Sequence, residues 1–511
     1  MLFNSYIFIF AFLPLCLLGY YLLRGRYATL AKVWLIAFSL WFYGYFNLYY
    51  LDIMIGSVMW NYLLNKLMGR YPVKRKMIFT IGVLGNLGVL FYYKYFDFFL
   101  SNVNMIFKSD IPLKNILLPL GISFFTFQQI SFLYDTYKGK MAGVGFIDYA
   151  LFVTFFPQLI AGPIVTGEEM LPQFASVHSR KFDVDKFANG LYVFTLGLAK
   201  KVLIADTLSG AVDYGYANLA SISSPEALLV ILYYTLQLYF DFSGYCDMAI
   251  GIGRMLGFEI AINFNSPYKS KDIVDFWKRW HITLNRFFTK NIYIPLGGNR
   301  KGNARMYFNL FIVFLLSGIW HGAGWNYILW GCMHGVLYVI TRAVAKKKKD
   351  AKIVSIKSIR NSAGSTAVNI ARRDAGAITI NVIKILLTFA FVNLAWVFFR
   401  APDVKTAVEL LKVAFTGSWH IPGENFAAFF NLGEFWYVMK ILHLANFAFS
   451  KYILMIVETL FVLGIVFFAP NVHELAAKQK FTAFRAVLTG IILVWCIVSL
   501  SGVSTFLYFN F

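Results

Sequence analysis

Two histidines in this 511-residue chain stand where solvation alone would not keep them. His321 lies in Leu316-Ser-Gly-Ile-Trp-His-Gly-Ala-Gly-Trp325, at the end of one apolar run and the start of another. An ionisable side chain inside a membrane is costly and is usually retained for function. Its glycine neighbours allow close backbone approach, and an imidazole in a water-poor site suits general-base chemistry. A structural histidine satisfied by a backbone carbonyl is the plainer alternative. His281 lies in Asp272-Ile-Val-Asp-Phe-Trp-Lys-Arg-Trp-His-Ile-Thr-Leu-Asn-Arg-Phe-Phe288. At about 100° per residue, Ile273, Phe276, Trp277, Trp280, Leu284, Phe287 and Phe288 share one face, with Asp275, Lys278, Arg279 and Arg286 opposite. This predicts one amphipathic helix at or near the membrane interface. His281 sits at the edge of its apolar face, either aimed at a cavity or simply an edge residue.

The other ionisable residues divide more simply. His334 falls inside an apolar run and is expected to pack through a hydrogen bond, whereas His178, His420, His443 and His473 lie in or near polar loops, where a surface role is expected. Asp241 and Asp247 occur in Tyr239-Phe-Asp-Phe-Ser-Gly-Tyr-Cys-Asp247, within a long apolar helix. Buried carboxylates must be paired or protonated. Asp247 stands two turns before Arg254 and is expected to pair with it; Asp241 is left to hydrogen-bond a catalytic histidine or to anchor a neighbouring helix. Cys16, Cys246, Cys332 and Cys496 lie in apolar stretches without a CxxC spacing and read as small hydrophobes. The histidines are too scattered for a metal site, and no GxSxG elbow, HExxH or phosphate-binding loop occurs.

The elements that must hold these residues follow from composition. The chain is 59% hydrophobic and 14% charged, too few charges to cover a soluble globule, which carries about a quarter. Lipid removes that problem, since a spanning helix needs about 20 mostly apolar residues. Expected spans are Tyr6–Leu23, Ala28–Phe46, Tyr49–Met68, Met77–Leu100, Leu117–Leu133, Ile147–Val165, Phe187–Ala205, Ala227–Leu256, Tyr307–Trp320, Trp325–Thr341, Thr379–Phe399, Tyr452–Phe468 and Ala486–Tyr508. The first reads as a retained span, since it lacks the basic n-region and cleavage site of a signal peptide. The fold class is therefore all-α, a polytopic membrane bundle of roughly 11–13 spans with interfacial or re-entrant helices, in one domain over residues 1–511.

The net charge of +22 sits in short loops. That is the pattern of cytoplasmic loops in membrane proteins, not of a nucleic-acid-binding domain. Arg24, Arg26 and the Arg70–Lys76 cluster place those loops in the cytoplasm and the N-terminus outside. Residues 345–376, crowded with Lys346–Lys349, Lys352, Lys357, Arg360, Arg372 and Arg373, read as a basic cytoplasmic loop, mobile or lying on the membrane surface. Pro157-Gln-Leu-Ile-Ala-Gly-Pro163 breaks an apolar run, and broken backbone at membrane depth must be buried in protein or line a cavity. A re-entrant element and a kinked helix are both compatible with it. Gly253 and Gly257 form a GxxxG pair expected to serve helix packing.

The chain resembles the membrane-bound O-acyltransferases over nearly its whole length. The likeness rests on Phe42-Tyr-Gly44, Pro119-Leu-Gly-Ile-Ser-Phe-Phe-Thr-Phe127, Phe156-Pro-Gln-Leu-Ile-Ala-Gly-Pro163, Asp241-Phe-Ser-Gly-Tyr245, Asn263-Phe-Asn-Ser-Pro-Tyr268, Phe276-Trp-Lys-Arg-Trp-His281, Tyr293-Ile-Pro-Leu-Gly-Gly-Asn299, Leu316-Ser-Gly-Ile-Trp-His-Gly322 and Trp396-Val-Phe-Phe-Arg-Ala401. Thr166 departs from the basic residue that relatives often carry there. The resemblance, strongest to the alginate O-acetylase branch, implies a central funnel or tunnel, with core catalytic motifs over residues 239–342. His321 matches the signature histidine and His281 the second catalytic position; Asp241, Trp320 and Asn285 are candidates to support them.

What the resemblance implies is O-acetylation of an extracytoplasmic polysaccharide by an enzyme of the bacterial cytoplasmic (inner) membrane. The acyl group would come from a cytoplasmic thioester, acetyl-CoA, with no permanently bound cofactor and no metal. Lys278, Arg279 and Arg300 are the candidate donor-binding residues. The expected partners are membrane lipid, the donor (acetyl-CoA or an acyl-carrier protein) and an extracytoplasmic SGNH-like acetyltransferase or other polysaccharide-modifying protein, with no nucleic acid. D-Alanylation of teichoic acid from a carrier protein, and a non-catalytic polysaccharide-export subunit, are the alternatives.

Overall fold

The computed structural model describes residues 1–141, 143–179, 182–361, 374–430, 436–443, 449–478, 482–500 and 506–507. Every regular element among them is helical. By length and composition, six helices are able to cross a membrane: Pro72–Phe107, Ser224–Met255, Asn303–His321, Trp325–Lys347, Thr379–Arg400 and Ser450–Phe467. Three shorter apolar helices, Phe8–Leu23, Ala28–Gly44 and Ala483–Val498, join them. The protein is a multi-pass membrane helical bundle.

Ser224–Met255 is its axis. The best window of this helix is 83% buried, against 22–33% for the other five. It starts from a reciprocal cap in which Ser223 and Glu226 satisfy each other's backbone. Backbone-to-backbone contact seats it against Val184–Ala199: a Cβ on Gly190 would lie 2.7 Å from the Gly251 oxygen, and one on Gly197 2.7 Å from the Gly244 oxygen. The close-packing glycines are thus Gly244 and Gly251. Gly253 and Gly257 do not form the expected pair, because the helix ends at Met255 and Gly257 takes a positive φ of 83°.

Several expectations need correction. The helix begun at Trp325 does not stop before the basic segment but continues through Lys346–Lys349 to Asn361, its Lys and Ala residues being good helix formers; residues 362–373 of the expected loop lie outside the described residues. Val184–Ala199 runs on through a π-helical stretch, Lys200–Ala205, into Asp206–Ala217. The last apolar helix ends at Val498, and positions 501–505 and 508 of the last expected span lie outside the described residues.

The Pro157–Pro163 segment is a buried break in the helical path. Phe146–Thr154 ends at Phe155, the single turn Phe156–Leu159 follows, and residues 151–165 are all buried. Asp272–Phe288 is not one helix. It breaks into Ile273–Arg279 and Ile282–Phe288, with Trp280 extended and His281 left-handed at φ 46°. The apolar face read from the sequence is still the buried one, Ile273 through Phe288; amphipathic periodicity located the face but not the break.

Candidate active site

His321 is the last residue of Asn303–His321. That helix packs closely on its successor, where a Cβ on Gly331 would lie 2.6 Å from the Phe314 oxygen and 3.0 Å from Gly318 Cα. The imidazole is 3% exposed. Its Nδ1–H donates to the Ser317 carbonyl at 2.7 Å. A carbonyl only accepts, so the proton sits on Nδ1, and the neutral ring keeps its basic lone pair on Nε2. The plainer alternative, satisfaction by a backbone carbonyl, is therefore present as well, and it sets the tautomer a base needs.

The end of this helix is capped from Pro72–Phe107, at a π-helical segment, Phe91–Tyr95. Tyr95 donates its hydroxyl to the Ile319 carbonyl at 2.9 Å, and Lys94 Nζ donates to the Trp320 and His321 carbonyls at 2.7 and 3.1 Å. These are carbonyls that a helix terminus leaves without partners. Lys94, Ser123, Trp320 and His321 line a cavity of about 20 Å³, with Leu118, Pro119, Gly121, Ile122, Phe124 and Ile160 also on its wall, which is room for one oxygen-sized group. Gly121 shapes its wall, with φ at 70° and the Ile160 backbone 3.1 Å from where a Cβ would stand.

His281, 1% exposed, is held differently. The left-handed backbone between the two short helices turns its ring inward, a conformation in which His is enriched among non-glycine residues. Its Nδ1 lies 3.1 Å from Asn263 Oδ1, which also accepts from the Thr283 backbone and hydroxyl at 3.2 and 2.9 Å. Thr283 in turn accepts from the Ile164 N–H at 2.9 Å, so the broken segment and His281 share one hydrogen-bond chain. Again Nδ1 carries the proton and Nε2 the lone pair.

Trp320 stands between the two histidines, its ring centroid 6.3 Å from His281 and 4.8 Å from His321. Its indole N–H is buried with no hydrogen-bond partner among the described residues. Below it, Trp320, Phe127 and Phe287 stack at 5.1 and 4.2 Å. Phe287 borders a second small cavity, lined also by Thr283, Arg286 and Lys290. The central space is thus two small polar cavities with an aromatic stack between them.

Depth follows from helix rise. Lys94 lies about 27 Å along its helix from the Lys74–Lys76 cluster, and His321 a similar distance, about 27 Å, from Asn303, at 1.5 Å per residue. Asn303 hydrogen-bonds Lys346 of the basic stretch, so both start on the basic face. The second cavity is bordered by ion pairs: Arg286 pairs bidentately with Glu169 and Lys290 with Asp135 at 2.6 Å, with Lys140 on Glu168 at 2.9 Å nearby. The hydrogen bond from Lys140 holds the Glu168 carboxyl below its ordinary value.

The remaining expected residues separate. Asp241 does not reach a histidine; it pairs with Lys201 at 2.6 Å and accepts from the Leu507 N–H. Asp247 pairs with Lys200 at 2.6 Å and His473 at 3.0 Å rather than with Arg254, which turns to Glu259 and Asn189. His473 is accordingly half-buried against the axial helix rather than on the surface. Asn285 donates to the Trp277 carbonyl and bonds the His281 backbone, supporting the turn and not the ring. Lys278 and Arg300 are exposed, and Arg279 pairs with Asp275. His334 accepts from the Trp277 indole at 3.2 Å through Nδ1, the opposite tautomer to the other two. Sequence reasoning missed Lys94, a lone cation in an apolar run, and Asn263 with Thr283.

The membrane-bound O-acyltransferase family model matches residues 113–347, which include both histidines. The chain is 39% identical to a peptidoglycan O-acetyltransferase of Helicobacter pylori, over 100% of this chain and 98% of that protein. It is 38% identical to a Pseudomonas aeruginosa protein named probable alginate O-acetylase, over 88% of this chain and 82% of the other. A teichoic acid D-alanyltransferase of Bacillus subtilis is 28% identical over 47% of this chain and 63% of its own.

Proposed function

From the premise that this chain belongs to the membrane-bound O-acyltransferase family, we propose that it moves an acetyl group from a cytoplasmic thioester, acetyl-CoA, to hydroxyl groups of an extracytoplasmic polysaccharide. It is an O-acyltransferase by family, and the two relatives similar over most of their length are named as O-acetylating enzymes. The observation that carries the reading is the His321 imidazole: buried, with Nε2 left basic and a cavity for one small polar group beside it. Such a group takes the proton from an attacking hydroxyl and returns it to the departing sulfur. His281, with the same tautomer on the other side of Trp320, serves as the relay or positioning group nearer the donor.

The sidedness rests on depth. On the positive-inside reading the basic face is cytoplasmic, and Lys278, Arg279 and Arg300 are suited to attract the phosphates of a CoA-type donor there. His321 lies about 27 Å along its helix from that face. An SGNH-like extracytoplasmic protein is the expected acceptor or partner, and the bacterial cytoplasmic membrane the expected location. Transfer of D-alanine ranks second because that likeness covers only 47% of the chain. The test is a sealed proteoliposome of known orientation, with labelled acetyl-CoA on the basic-loop side and a polysaccharide acceptor on the other. Labelled polymer is expected. Turnover only when donor and acceptor share a side defeats the cross-membrane reading.

A further inference from the structure

We propose that Lys94 is a second catalytic group: its ammonium, at the small cavity it shares with His321, holds the negative charge that develops on the acyl carbonyl oxygen. This deepens the acyl-transfer reading above and rests on it.

Lys94 is placed at cost. It lies in a membrane-crossing helix, and a cation there is expensive unless matched. Among the described residues no carboxylate lies within ion-pair distance of it, although Lys32, Lys200, Lys201 and Lys290 each have one. Its acceptors are neutral: the Trp320 carbonyl at 2.7 Å, the His321 carbonyl at 3.1 Å and, at a long 3.4 Å, Ser123 Oγ. Capping the helix does not call for a charge. Tyr95, the next residue, caps the Ile319 carbonyl with a neutral hydroxyl. The helix C-terminus offers only about half a negative charge in return. Positive charge is thus left over, and Lys94, Ser123, Trp320 and His321 all border the 20 Å³ cavity.

That leftover charge fits one moment of the reaction. The acceptor hydroxyl oxygen attacks the carbonyl carbon of the acyl thioester, forming the new C–O bond as the carbonyl π pair moves onto its oxygen. His321 Nε2 takes the hydroxyl proton. When the tetrahedral species collapses, the C=O bond reforms, the C–S bond breaks, and the sulfur takes the proton from the imidazolium and leaves as a thiol. Lys94 keeps its protons throughout and is the counter-charge of the transient oxyanion. A preorganised cation in a dry site costs no reorganisation when the charge appears.

The experiment uses full-length protein in proteoliposomes with labelled acetyl-CoA as donor and a chitooligosaccharide as the probe acceptor. Lys94→Gln keeps a donor for the caps and removes the charge; Lys94→Arg keeps both. Removing one oxyanion partner lowers kcat by about 10²–10³-fold, so Lys94→Gln is expected to fall that far with KM within about threefold of the parent. Lys94→Arg is expected to keep at least about a tenth of kcat, and Tyr95→Phe, which removes a neutral cap, to fall by less than about tenfold. A folded Lys94→Gln within about threefold of the parent kcat overturns the assignment. So does a Lys94→Arg that folds with the parent's thermal transition yet loses more than about 100-fold, an outcome that decides the matter even if the Gln variant does not fold. If the parent transfers no acetyl group even with the extracytoplasmic partner supplied, it is the underlying acyl-transfer reading that fails.

Discussion

Lysine is drawn into this bundle in two kinds of company, buried at Lys201 and half-buried at Lys94 and Lys200. Lys200 and Lys201, side by side in a π-helical stretch, meet Asp247 and Asp241 of the axial helix at 2.6 Å each, with Asp206 and His473 completing the network. Lys94, in another π-helical stretch, meets carbonyls, a hydroxyl and the Trp320 ring at 5.9 Å, and no carboxylate among the described residues. The first arrangement neutralises its charge and ties Val184–Ala217 to the axial helix; the second leaves charge available beside His321. Space alone does not identify the site. An apolar cavity of 400 Å³ lies beside Lys200, with neither candidate histidine on its wall, whereas the cavity beside His321 is near 20 Å³. Burial of a lysine is therefore uninformative until its partners are known: matched charge marks architecture, and unmatched charge beside a base marks chemistry.

The strongest test of that contrast removes the base. His321→Ala is expected to lower acetyl transfer by at least about 10²–10⁴-fold, the contribution of a general base, while the protein inserts and keeps its thermal transition. The ring's Nδ1 bonds a carbonyl of its own helix turn, so its truncation leaves that turn's backbone in place. Near-parental transfer by a well-folded variant removes His321 from the chemistry. Lys201→Met should do the reverse. It leaves Asp241, 1% exposed, without its cation, and breaking a buried pair costs about 3–5 kcal/mol. Yield and thermal midpoint should drop, while turnover per folded molecule stays near the parent value. A stable but inactive Lys201→Met would erase the distinction between the two lysine sites.

What the sequence disclosed follows the same division. Apolar run length located the long spanning helices, because bilayer thickness acts on local sequence, but it also read spans at Leu117–Leu133, where the helix is Ile122–Tyr137, and at Ile147–Val165, which breaks at Phe155. Both histidines stood out inside distinctive motifs. The pairings were not legible. Asp247 and Arg254 share a face of one helix, which is what the sequence shows, but the partners that win, Lys200 and His473, come from elements far away in the chain. Lys94 was hidden because a single lysine in Phe91-Tyr-Tyr-Lys-Tyr95 resembles the snorkelling residue of a helix end. The available signal was its distance from the basic end of that helix. The break at Trp280–His281 escaped because periodicity reports which face is buried and not whether the backbone is continuous.

The smallest expected effect concerns His281, where backbone and side chain make separable contributions. His281→Asn places a residue that tolerates the left-handed region at φ 46°, and its amide can still donate to Asn263 Oδ1, preserving the chain through Thr283 to Ile164. His281→Ala loses that donor and puts a less tolerant residue in a conformation costing about 1–2 kcal/mol. If His281 orients the donor side of the site, Asn should retain much of the activity, with KM for acetyl-CoA moving more than kcat, and Ala should lose more of both. If it must exchange a proton, the two variants should be equally inactive, since the Asn amide does not titrate near neutral pH. Steady-state transfer by both, at matched folded concentration, separates these outcomes. Equal and complete loss would place His281 beside His321 as a proton carrier and confine the positioning role to Asn263, Thr283 and the turn beneath them.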